Sequence, residues 1–164
     1  MNDQAHAHDS LQSLLPLRGQ SKPLLGIDVG SHTLGLALSD RSWSIASPLL
    51  TITRTKFSKD ILILQELIKK HEVVGLILGW PLNMDGSEGP RCQSVRDFSL
   101  NLQKHTELPL GFFDERLSTW AVTQTMLCAD LSRKRRDELV DKLAASYILQ
   151  SALDRLSSIA KVSE

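Results

Sequence analysis

Two cysteines in 164 residues, Cys92 and Cys128, are too few and too far apart for a zinc knuckle or a disulfide framework. Both read as small core residues of a protein kept reduced, so the cytoplasm is the expected location. There is no charge excess either: 19 Lys and Arg balance 19 Asp and Glu. Whole-molecule attraction to nucleic acid or anionic lipid is therefore excluded as a driving force, and any such binding must come from local patches. No apolar run approaches the roughly eighteen residues of a membrane span, and no basic stretch leads into a hydrophobic one at the N-terminus; neither a membrane partner nor export is expected. Internal repeats and low-complexity segments are missing, and the length suits one domain with a full core.

Residues 1–22 carry His6, His8 and Asp9, then Leu11, Leu14, Leu15 and Leu17 without a strong period. They are expected to form a flexible arm that its leucines can dock, with the histidines solvated rather than metal-binding. The domain proper is expected over 23–158, with a tail at 159–164. Within it, 24–29, 34–39 and 45–53 read as three strands in hairpin order. A helix follows over 58–71, with Ser58 as its N-cap. The continuous apolar run 73–78 reads as a strand buried on both faces. After a loop at 79–90 come a helix at 91–104, a strand at 108–113, a short helix at 118–127 and a long one at 138–156. A meander followed by right-handed crossovers predicts an α/β fold: a ribonuclease-H-like mixed sheet, antiparallel then parallel, with helices on both faces.

Three acidic positions do not suit the elements that hold them. Along 24–29, Leu25, Ile27 and Val29 share one face while Leu24, Gly26 and Asp28 share the other, which flanks Asp28 with core on both sides. A charge there must be paired, bonded to amides of the Gly30–Thr33 turn, or bound to a cation. Asp114 and Glu115 appear just as a strand ends and a helix begins, the sheet edge at which open α/β folds bind ligands; an exposed Glu115–Arg116 junction is the plainer reading. At about 100° per residue, Asp141 falls within the apolar stripe of the last helix, although an acid in the first turns also suits the helix dipole. Three carboxylates from separate segments can make an oxygen-rich site for Mg²⁺ or Mn²⁺, with activated water in place of a nucleophilic side chain.

The stretches "GIDVGSHTLGLALSD", "LGWPLNMDGSEGP", "DERLSTWAV" and "DKLAASYILQSALD" resemble, in order, the four blocks of the YqgF/RuvX family. That family is described as pre-16S ribosomal RNA nucleases related in fold to ribonuclease H and to the Holliday junction resolvase RuvC. The resemblance implies a metal-dependent phosphodiester hydrolase that processes the 5′ end of precursor 16S ribosomal RNA, and it places the acidic roles, catalytic and metal-binding, on Asp28, Glu115 and Asp141. Where many relatives carry a basic pair after the first glycine, this chain has His32 and Thr33 behind Ser31.

Contacts to nucleic acid are expected from Asn83 in the rim loop, from Arg116, and from the dense basic run Arg133, Lys134, Arg135 and Arg136, read as a loop ahead of the last helix. Trp80 is a candidate for stacking on a base. Precursor ribosomal RNA is preferred over branched DNA as partner, and no feature of the sequence fixes an oligomeric state. The alternatives are a junction resolvase in recombination and repair, or a non-catalytic ribosome-assembly factor, which Asp28→Asn would leave functional. The first block also resembles the phosphate-binding hairpin of actin and sugar kinases, but those enclose ATP between two domains, which this length does not supply.

Overall fold

The computed structural model describes residues 10–118 and 120–162. His6, His8 and Asp9 lie outside the described residues.

Strand β1 (Leu24–Val29) is apolar on both faces apart from Asp28, and it takes the centre of a five-stranded sheet of order β3-β2-β1-β4-β5. Strand β2 (Thr33–Ser39) returns antiparallel to it, with Asp28 opposite Gly35, and β3 (Ala46–Thr53) returns antiparallel to β2. The β1–β2 turn closes on itself, the Gly30 N–H donating to Thr33 O at 2.9 Å. Strands β4 (Gly75–Trp80) and β5 (Leu110–Asp114) then add in parallel on the other side of β1. This is the ribonuclease-H-like arrangement, three antiparallel strands followed by two parallel ones.

One face of the sheet is dry along its length. Helices α1 (Phe57–His71) and α2 (Pro90–Gln103) bury Ile61, Leu64, Val95, Phe98 and Leu102 against Leu25, Ile27, Val29, Leu76 and Leu78. Ser58 is not the N-cap of α1: the buried Asp60 takes the Thr55 N–H and its hydroxyl, the latter at 3.0 Å, and fixes the entry one residue earlier. At the exit Glu72 adopts a left-handed φ of 56°, which returns the Val73 N–H to Ile68 O at 3.0 Å.

The opposite face is covered by the last helix. After α3 (Trp120–Leu127), α4 (Arg133–Val162) packs Ala145, Ile148, Leu149, Ala152, Leu153 and Leu156 over Leu24, Ile77 and Phe113. A Cβ at Gly26 would stand 2.9 Å from Leu149 Cβ, so the helix touches bare strand backbone there. Helix α4 begins five residues before the expected start, because Ser132 caps it: its carbonyl takes the Arg136 N–H at 2.9 Å and its hydroxyl the Arg135 N–H at 3.4 Å. The run Arg133–Arg136 is thus the first turn of a helix and not a loop; cations oppose the dipole at that end, which disguised the start in sequence. The same helix carries through 159–162, where a tail was expected.

Residues 10–22 are part of the domain core. Leu11 and Leu14 are fully buried, and their methyls would lie 3.3 and 3.2 Å from a Cβ on Gly111. A 3₁₀ turn (Leu15–Gln20) follows, and the Ser10 hydroxyl accepts the Phe112 N–H of the edge strand β5 at 2.9 Å. Among the described residues no helix is long and apolar enough to cross a membrane. Leu14→Ala is expected to destabilise the fold by about 3 kcal/mol, the cost of a buried leucine cavity, read from urea unfolding. An arm that only rests on the surface would give a change under about 0.5 kcal/mol.

Candidate active site

The carboxyl ends of β1, β4 and β5 meet the first turns of α4 at one end of the sheet. Asp28 is the penultimate residue of β1 and points to the α4 face, in step with Leu24 and Gly26. Glu115 follows β5 directly, and to approach Asp28 it must cross the intervening strand β4. Gly79 leaves that path open: a Cβ there would sit 2.5 Å from Glu115 Oε1 and 3.1 Å from Ile148 Cδ1. Gly35, across from Asp28, does the same for the helix, since a Cβ would stand 3.2 Å from the Asp141 carbonyl oxygen and 3.6 Å from Asp28 Cβ. Asp28 and Asp141 open into a cleft of about 600 Å³ whose wall includes Ser31, His32, Thr33, Arg91 and Ser94.

The electrostatics follow from this crowding. Burial pushes the Asp28 carboxyl above its ordinary value, the Arg91 guanidinium pulls it back, and Asp141 adds a smaller push upward. Glu115 is raised to about 7, first by burial and then by the Asp28 charge, with Arg91 again opposing and Asp114 adding to the rise. No amide of the Gly30–Thr33 turn bonds to Asp28, so of the three ways to satisfy that charge the turn is removed and cations remain.

The neighbouring acid is engaged elsewhere. Asp114 accepts the Arg116 backbone N–H at 3.0 Å and holds the Arg116 guanidinium through Nη2 at 2.8 Å and Nε at 3.1 Å. This ion pair separates two adjacent carboxylates into a structural one and one that lies over Gly79 of β4. It also turns the Arg116 fork, expected to meet nucleic acid, onto its own strand end.

Other expected contacts are placed as follows. Asn83 is exposed, but its amide donates to Ser87 Oγ at 3.0 Å and organises the rim loop. Trp80 is buried, edge-on to Phe112 with centroids 5.1 Å apart, so it packs the core instead of stacking on a base. Asp141 is exposed at the rim rather than packed on the sheet; the buried stripe of α4 starts three residues later, at Ala144. Arg133 to Arg136 are all exposed. The residue that sequence reasoning missed is Arg91. Its signal was a cation beside Pro90 in the first turn of a helix, where the dipole gives it no structural reason to be.

A divalent ion fits part of this set. Among the described residues no three His, Cys, Asp or Glu side chains stand close enough together to hold an ion. The Asp28 charge, however, bears on Glu115, no hydrogen-bond donor meets Asp28 among the described residues, and hard oxygen pairs of this kind suit Mg²⁺, which is commonly held by one or two carboxylates plus substrate phosphates.

A ribonuclease-H-like sheet with paired acids at its parallel strand ends defines the class. Comparison with known proteins gives the family. The RuvX model, described as "Holliday junction resolvase", matches residues 22–155. A protein of Paramagnetospirillum magneticum named "Putative pre-16S rRNA nuclease" is 56% identical over 147 residues, which cover 90% of this chain and 95% of that one. A Ruegeria protein of the same name is 52% identical over 152 residues, 93% of this chain and 97% of its own. Among solved structures, Thermus thermophilus RuvC bound to a Holliday junction aligns at a TM-score of 0.48 with 13% identity, over 82% of this chain and 96% of that chain. The chain belongs to the RuvX family, a family of phosphodiester-hydrolysing nucleases.

Two outcomes are expected from the site geometry. A carboxyl raised from 4.5 to about 7 on folding weakens the fold as pH climbs through that window. In metal-free buffer Glu115→Gln should therefore match wild type in unfolding free energy below pH 4.5 and exceed it above pH 7, by on the order of 1 kcal/mol after solvent screening. A flat difference across that range would contradict the burial of Glu115. Gly79→Ala should displace Glu115 and lower nuclease turnover at least about tenfold while leaving the protein folded by circular dichroism.

Proposed function

We infer that the chain is a divalent-metal-dependent nuclease that trims the 5′ end of precursor 16S ribosomal RNA in the cytoplasm. The observation that carries the chemistry is Glu115 lying over the side-chain-free Gly79 of β4, near enough to Asp28 to feel its charge, with Asp28 itself lining the cleft at that end of the sheet. Asp28, Glu115 and Asp141 are assigned the metal and the reaction, with Mg²⁺ or Mn²⁺ as the ion. Held by these acids, such an ion would supply an activated water and offset charge on the phosphoryl oxygens. Asp28 and Glu115 then hold their ionised forms, which burial alone disfavours, and Asp141 reaches in from the rim. The Gly30–Thr33 turn, clamped by Arg54 through the Gly30 carbonyl at 2.6 Å, forms the floor of the cleft on which a strand lies.

The exposed cations Arg133 to Arg136 stand about 7.5 to 12 Å along the α4 axis from Asp141 and suit backbone phosphates a few nucleotides from the cut. The RNA assignment draws on relatives at 52–56% identity over nine-tenths of the chain, named for that substrate. The family description favours a second reading, resolution of branched DNA by the same chemistry.

End-labelled precursor 16S RNA and a four-way DNA junction, each incubated with Mg²⁺ or Mn²⁺, separate these readings. RNA cleavage is expected, reduced about a hundredfold or more by Asp28→Asn with the fold intact. Junction cutting alone would move the assignment to the resolvase. Metal-dependent cutting of neither substrate by folded wild type would leave a binding module.

A further inference from the structure

The arginines around the cleft are sorted by their hydrogen bonds. Arg54 is held by the Gly30 carbonyl, Arg96 pairs with Glu88 at 2.8 Å and lies over the Trp80 ring, and Arg116 is forked on Asp114. Arg91 differs. It is exposed in the first turn of α2 and lines the cleft together with Asp28 and Asp141, and among the described residues its guanidinium has no hydrogen bond or ion pair. Ser94, three residues on and therefore on the same side of the helix, lines the same wall. Its positive charge acts on Asp28 and Glu115 together.

We propose that Arg91 is a substrate-contacting residue: its uncommitted guanidinium counters the charge of Asp28 and Glu115 from the cleft wall and takes a nucleic-acid phosphate. The first role follows from position, since this is the one Arg or Lys among the residues lining the cleft, and two crowded carboxylates need a counter-charge. The second follows from chemistry. A guanidinium on a long, uncommitted stem binds phosphate through two parallel N–H bonds, and Ser94 adds a hydroxyl donor beside it. A divalent ion at the acids would lessen their pull on Arg91, and a phosphate on Arg91 would lessen its repulsion of that ion. Metal and nucleic acid therefore strengthen each other's binding through one side chain, by reciprocal linkage.

The inference rests on the nuclease reading, and two binding measurements test it without turnover. Free Mn²⁺, titrated with RNA absent and followed by electron paramagnetic resonance, should bind Arg91→Ala about fivefold more tightly than wild type, because a competing cation is gone. A fluorescein-labelled oligouridylate in chelator should bind Arg91→Ala more weakly, with the slope of log affinity against log salt reduced by about one, while Arg91→Lys keeps the slope as a point charge. Looser Mn²⁺ binding by Arg91→Ala, or an unchanged salt slope, would overturn the proposal. Urea unfolding of both variants guards against a merely structural loss. If wild type cuts no RNA yet the slope falls as stated, the nuclease reading fails and the Arg91 assignment stands; Asp28-dependent cutting with an unchanged slope gives the reverse.

Discussion

Two like charges on one face of a sheet, Asp28 and Glu115, set the terms for the rest of this molecule. Burial raises the affinity of both for a proton, and the Asp28 charge raises that of Glu115 further. They come together only because β4 offers no side chain at Gly79 and β2 none at Gly35. A carboxylate pair of this kind is costly to fold and persists where something positive arrives to compensate it. The α4 face is accordingly graded, with leucine and isoleucine packing toward the start of the parallel strands and acids with an open cleft at their ends.

Helix α4 turns that gradient into a tool. From Ala144 onward it is held by buried alanine, isoleucine and leucine, whereas the side chains of Asp141, Lys142 and the basic first turn are exposed. A helix anchored along two-thirds of its length holds its free end as a rigid rod, so one element presents an acid to the cleft and cations beyond it in fixed register. The charges pull in opposite directions on a polyanion, with the first turn attracting it and the cleft repelling it until a cation is present.

Much of this was legible in the sequence, for reasons that differ from element to element. The β1–β2 hairpin and the buried run of β4 announced themselves through apolar alternation and glycine punctuation, so the mixed sheet and its order followed. Asp28 stood out because a charge interrupted a strand buried on both faces. The split between Asp114 and Glu115 was not legible, since it depends on Arg116 folding back onto the first acid, a local ion pair with no periodic signature. Trp80 pointed to a stacking role that its burial against Phe112 removes. Arg91 offered only a weak signal, a cation in a helix's first turn, because its place beside the acids is made by tertiary structure, where the start of α2 meets the end of β1.

The bond between Ser10 and the Phe112 amide spans 102 residues of sequence. At roughly 5–20 residues per second of synthesis, the N-terminal leucines wait several seconds on the ribosome before the strand they cover exists. Until then the nascent chain displays Leu11 and Leu14 with nothing to receive them, and after β5 forms, its outer edge is open until they arrive. Residues made long before β5 are thus among the last to settle, and their arrival closes a sheet edge that would otherwise be free to pair with a neighbouring chain.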